Sequence, residues 1–192
     1  MLEGRLRGMR LRLSLLFPAW LTVLLLTRPD APVVSCVLAA AIHEGGHLLA
    51  MLAVGCPPDC CTVGAFGVRL ETGQTRLPGY GRQIVISLAG PAVNLAAAGI
   101  LYLAGAPSAA TVHALLGGLN LLPAAAMDGG QILRAVLCLA GREQYAERVL
   151  RVVSAVVLFP LATAAGALFL SGGNLTLLIV SVYMIVLIFI AE

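Results

Sequence analysis

Charge is scarce in this sequence. Asp, Glu, Lys and Arg make up 11% of its 192 residues, lysine is absent, and all 12 basic residues are arginine. Aromatic residues reach only 5%, so there is no basic surface with interleaved aromatics and nucleic-acid binding is excluded. Long polar connections are missing too. None approaches the roughly 50 residues that a separate soluble domain needs, and no internal repeat marks a solenoid or an array. The 5 cysteines are an odd set: Cys36 and Cys138 sit in apolar segments, and the other three share one short connection, which argues against a disulfide framework. Cys56-Pro-Pro-Asp-Cys60-Cys61 lacks a fourth ligand and zinc-finger spacing.

Apolar residues fill the space left by charge, at 60% against the roughly 45–50% of soluble domains. Runs close to or above the roughly 17–20 residues needed to cross a bilayer recur at about 13–27, 33–54, 84–104, 109–140, 151–170 and 174–190. They predict an all-α polytopic membrane protein with about six transmembrane helices in a single integral-membrane domain, 1–192. Arg5, Arg7, Arg10 and Arg12 precede the first run and place the N-terminus in the cytoplasm. With alternating spans, Arg69, Arg76 and Arg82 fall on the same side. So do Arg142, Arg148, Arg151 and the C-terminus, whereas Arg28 lands outside. The net charge of +3 therefore reads as topology and contact with anionic headgroups of the lipid bilayer. The basic start followed by Leu13 to Leu26 imitates a signal peptide, but Thr27-Arg28-Pro29-Asp30 is a poor cleavage site, and an uncleaved signal-anchor is expected.

Between the second and third runs, residues 62–73 have β-branched, alternating positions and a closing glycine. They predict a strand and turn, a small cytoplasmic β-hairpin. It reads either as a plain surface hairpin or as an edge strand that pairs with an extended substrate. The last two runs carry no charge and read as packing or lateral-gate helices. Before them, Glu147 and Arg151 at i,i+4 spacing read as a solvated helix end.

The polar residues inside the apolar runs carry the functional signal. An ionisable side chain near the bilayer centre costs on the order of 2.5–3.5 kcal/mol on insertion scales, yet His43, Glu44 and His47 share one run and Asp128 interrupts another. On a helix His43 and His47 share a face and both imidazoles can reach one ion, with Glu44 beside them able to act on a water. The alternative is a pair of buried histidines satisfied by their neighbours. Asp128 is the best third ligand. Pro123 removes an N–H and Gly129-Gly130 permit unusual backbone angles, so the 109–140 run is expected to break and restart near Asp128. Broken backbone at membrane depth is tolerated only where protein or water satisfies it; a plain N-cap is the competing role for Asp128. Asn94 and Asn120 are amides that can bind a substrate backbone or join helices. His113 reads as a packing or interfacial histidine.

Three motifs thus stand in one order: HEGGH at 43–47, AGPAVN at 89–94 and NLLPAAAMDGG at 120–130. Together they resemble the site-2 protease family of intramembrane zinc metalloproteases, over about residues 33–140. The resemblance implies a three-helix catalytic core there, with accessory helices at about 13–27, 151–170 and 174–190. It implies one zinc ion held by His43, His47 and Asp128, Glu44 as the catalytic base, and Asn94 and Asn120 arranging substrate. It also implies cleavage of membrane-embedded or membrane-associated proteins in regulated intramembrane proteolysis, with a regulatory membrane subunit or a homo-oligomer among the partners. The six-span layout is similar to the bacterial subgroup that includes a sporulation protease activating a sigma-factor precursor, which implies a bacterial cell membrane. The chain departs from family patterns in having no inserted PDZ domain and no C-terminal CBS domain. It also has Ala124-Ala125-Ala126-Met127 where many relatives carry further prolines.

Two other readings use the same residues. Intramembrane His and Asp clusters also mark ion pathways, so a divalent-metal transporter is an alternative, although the repeats common in transporters are missing. A catalytically silent relative that retains membrane partners is the second, against which the intact Glu44 speaks.

Overall fold

The structure, a computed structural model, describes residues 2–6, 9–13, 33–64, 67–71 and 78–170. It divides into two compact units, Met1–Gly118 and Leu119–Glu192. Apart from Leu13, the expected span at 13–27 lies outside the described residues, as does the one at 174–190.

The first unit opens with two strands, β1 (Leu2–Leu6) and β2 (Met9–Leu13), where the sequence reading took only a basic arm. The reason is visible in Met9-Arg10-Leu11-Arg12-Leu13, whose apolar and basic residues alternate with the period of a strand. Glu3 stands opposite Arg12 in the antiparallel register, and Arg12 Nε donates to Glu3 Oε1 at 3.0 Å. β2 pairs in parallel with β3 (Cys60–Gly64), and β3 pairs antiparallel with β4 (Gly67–Glu71). In place of a lone hairpin the described residues form a four-stranded sheet in the order β1-β2-β3-β4, and among them β1 and β4 are its edges.

Between β2 and β3 the chain forms α1 (Val33–Ala53), and after the sheet α2 (Tyr80–Leu103) and α3 (Pro107–Asn120). Among the described residues, α1 and α2 are the helices long and apolar enough to cross a membrane. Their burial is inverted relative to a protein in water. Leu103 is 87% and Leu49 68% exposed, whereas Asn94 is 0% and His43 6% exposed. Such an outward apolar surface is unfavourable in water and matched in lipid. Small residues let α1 and α2 cross closely: a Cβ on Gly46 would lie 2.9 Å from Ala89 O and 3.1 Å from Gly90 Cα. α1 stops at Gly55, whose φ of 74° allows Cys56 N–H to reach Met51 O at 2.9 Å. That left-handed cap suits glycine, which has no Cβ to strain it.

In the second unit, residues 121–127 interrupt the helix and α4 (Asp128–Leu139) restarts it. The expected break in the 109–140 run is therefore present. α4 has 12 residues and is about 18 Å long at about 1.5 Å per residue, too short to span a bilayer core. α5 (Glu143–Leu170) begins well before the expected span at 151. Its Glu147 accepts from Arg134 Nε of α4 at 2.6 Å, joining the two helices. Both side chains are about half exposed or more, so the pair contributes at most about 1 kcal/mol.

Candidate metal centre

The helical repeat of about 3.6 residues stacks His43 and His47 on one face of α1, one turn apart. Their rings meet edge to face, with centroids 4.7 Å apart and planes at 83°. The two Nε2 atoms are separated by 3.1 Å. Two nitrogens each about 2.0–2.1 Å from a tetrahedral zinc would be about 3.3 Å apart, so this pair is set close to the edge of such a tetrahedron.

Each ring is held from behind by α2. His47 Nδ1 lies 2.8 Å from Ile86 O. A carbonyl only accepts, so the proton belongs on Nδ1 and Nε2 keeps its lone pair. His43 Nδ1 lies 3.1 Å from the side-chain amide of Asn94, and the other end of that amide lies 3.0 Å from His113 Nδ1 on α3. Gly90 makes room for the arrangement, because a Cβ there would land on the imidazole of His47.

Glu44 follows His43 on α1 and is half-buried. Its carboxylate acts on Cys61 of β3. That thiol is pushed above its ordinary value of 9.0 by burial first, then by neighbouring Cys60, then by the charge of Glu44. All three favour the neutral thiol, so reactivity is withheld near neutral pH and gained only as pH rises beyond the ordinary value. Peptide-level mass spectrometry is expected to show slow alkylation of Cys61 by iodoacetamide near neutral pH, and faster alkylation at the same pH in Glu44→Gln. An unchanged rate in that variant would separate the carboxylate from the thiol.

In the second unit Asp128 is the first residue of α4, and Met127, with φ −109° and ψ 162°, occupies the N-cap position. Asp128 is therefore not the N-cap. A carboxylate in the first turn gains from the helix dipole. Gly129 and Gly130 serve a different purpose from the one expected: both are helical, and what they supply is space. A Cβ on Gly129 would strike Leu121 O and Leu122 O, and one on Gly130 would strike Ala124 O. The interruption has its own partners. Ala125 N–H donates to Ser154 Oγ at 2.8 Å, and that hydroxyl donates to Leu150 O at 2.6 Å within α5. Ser154 is fully buried. Asn120 is the last residue of α3 and is half-buried.

Of the residues singled out in the sequence, the first unit brings together His43, His47 and Asn94, with Glu44 beside them; Asp128 and Asn120 belong to the second. The sequence reading missed Ser154, the proximity of Cys61 to Glu44, and the engagement of His113. For His113 a signal existed, a titratable side chain within an apolar helix.

The architecture defined by these observations is a membrane-helix fold in which a two-histidine helix crosses a small-residue helix, followed by an interrupted helix that restarts at an aspartate. No protein-family model and no curated protein matches the chain by sequence. Among solved structures, the chain is similar to the site-2 protease from Methanocaldococcus jannaschii, with a TM-score of 0.69 over 95% of this chain and 91% of that one. At 19% identity the likeness shows that the two share a fold.

Proposed function

We propose that this protein is an intramembrane zinc metalloprotease that hydrolyses peptide bonds of membrane-embedded or membrane-associated proteins. One observation carries the reading: the Nε2 atoms of His43 and His47 stand 3.1 Å apart on one face of α1, close to the spacing that two nitrogens take on one tetrahedral zinc ion. Two neutral imidazoles and a carboxylate suit zinc with an open fourth position. The site-2 protease fold and the order of the three motifs support it.

When bound, the ion supplies a Lewis acid for the scissile carbonyl and makes water more acidic. The chain does the rest. His43, His47 and Asp128 would hold the ion, and Glu44 takes the proton from the attacking water and delivers it to the leaving amine. A transmembrane substrate must unwind to expose its backbone. The strand β4, an edge among the described residues of the sheet whose β3 carries Cys61 close to Glu44, would pair with such a segment. Asn120, at the end of α3, would bind substrate backbone by its amide. The arginine distribution supports cytoplasmic termini, with α1 running inward and the histidines reached from the cytoplasmic face. The span layout is the sole support for the sporulation subgroup.

The test is metal removal. Membranes containing the protein are incubated alone, with 1,10-phenanthroline, or with chelator followed by zinc, and compared by terminus-enriched proteomics with membranes lacking it. New termini in or beside membrane segments are expected to depend on the protein, to vanish with chelator and to return with zinc. Their absence from membranes holding metal-loaded protein would overturn the reading.

A further inference from the structure

Asn94 is fully buried, and both ends of its amide are engaged with imidazoles, His43 on one side and His113 on the other. It has no exposed surface to offer a substrate backbone. We propose that Asn94 is a positioning residue for the metal ligand His43: it selects which nitrogen of that ring carries the proton, and His113 fixes the amide in the orientation required. The inference rests on the reading of His43 as a ligand.

The argument follows the protons. In the arrangement described, Asn94 Nδ2 faces His43 Nδ1 and donates to it, which leaves the His43 proton on Nε2, directed at Nε2 of His47 3.1 Å away. His47 Nε2 accepts, since its own proton is on Nδ1 and bonded to Ile86 O. His113 Nδ1–H donates to Asn94 Oδ1. These hydrogen bonds are mutually consistent, but they hold a proton where a metal ion would bind. Ligation by His43 Nε2 requires a lone pair there and hence a proton on Nδ1. The change is available through a half-turn of the Asn94 amide, whose two ends are nearly the same size. Oδ1 then accepts from His43 Nδ1–H, and Nδ2 donates to His113 Nδ1, whose proton moves to Nε2. A carboxylate or a carbonyl at the same position would accept only; the amide serves both states. A buried ring N–H without an acceptor loses its hydrogen bond entirely, so an apolar residue at 94 works against the ligating form. Outer partners of ligating histidines are worth about 10–100-fold in metal affinity.

The experiment compares wild type, Asn94→Leu, Asn94→Asp and His113→Phe, purified in detergent. Zinc retention is measured against a competing chelator, the cobalt-substituted absorption spectrum is recorded, and thermal unfolding of the metal-free proteins reports the fold. Asn94→Leu is expected to lose about 10–100-fold in zinc affinity with a changed cobalt spectrum, and His113→Phe to lose less. Asn94→Asp, which presents an acceptor to His43 permanently, is expected to bind zinc at least as tightly as wild type. This rescue distinguishes positioning from helix adhesion, because an amide that only joins helices would be replaced worse by a buried charge than by leucine. Nitrogen-15 spectra of the histidines in wild type are expected to show the His43 proton moving from Nε2 to Nδ1 on zinc addition. Equal zinc affinity in wild type and a folded Asn94→Leu would overturn the positioning role alone, as would weaker binding in Asn94→Asp than in Asn94→Leu. A wild type that takes up neither zinc nor cobalt would overturn the ligand reading and this inference together.

Discussion

Glu44→Gln is expected to keep the metal content of the wild type and to lose cleavage by about 10²–10⁴-fold, the usual contribution of a positioned acid–base group. The side chains are nearly isosteric, and Glu44 is half-buried beside His43. The substitution therefore leaves the ligands in place and removes only the capacity to carry a proton. Metal analysis and cleavage of a substrate identified by terminus proteomics would be measured on the same preparation. Retained metal with lost cleavage assigns the proton transfer to Glu44. Wild-type turnover by the variant would remove it from the chemistry, and zinc flux into proteoliposomes independent of Glu44 would return weight to the transporter.

The candidate site stands out in the sequence because two rules act on the same few residues. Lipid penalises ionisable side chains, so His43, Glu44, His47 and Asp128 stand out from apolar runs, and the helical repeat says which of them share a face. The break before Asp128 was legible for a similar reason, since Pro123 cannot continue the hydrogen-bond ladder. What surrounds these residues was not. Asn94 reaches His43 across 51 positions and His113 across 19, and no local pattern specifies such pairings. Ser154 looked like one more small residue of an apolar helix, yet it satisfies an N–H of the interruption 29 positions away. The N-terminal arm shows a different failure. Its arginines were read for their charge, and the strong topology signal concealed an alternation that makes Met9–Leu13 a strand.

The glycines were legible as important and misread in mechanism, and the correction yields the second large effect. Torsional freedom would make every glycine near the site sensitive; space makes only some of them so. Among the described residues nothing lies within 4 Å of a Cβ built on Gly45, whereas a Cβ on Gly46 would meet Ala89 O at 2.9 Å, one on Gly90 would meet the His47 ring, and one on Gly130 would meet Ala124 O. Gly45→Ala is therefore expected to be neutral or to stabilise α1 by up to about 1 kcal/mol through helix propensity. Gly90→Ala and Gly130→Ala are expected to destabilise by about 1–3 kcal/mol, the cost of overpacking, and to do more than that to the metal. Gly90→Ala must move a ligand ring. Gly130→Ala must move the first turn of α4, which begins at Asp128. A displaced ligand should weaken zinc binding at least as much as a lost outer partner, about 10–100-fold or more. Thermal unfolding of the metal-free variants and zinc retention against a chelator separate the two effects. If Gly45→Ala proved as harmful as Gly90→Ala, crowding would not be the reason for glycine in the crossing, and the close approach of α1 and α2 would lose its part in shaping the site. If the order is as expected, a stripe of small residues is what lets two histidines be gripped from behind without a cavity.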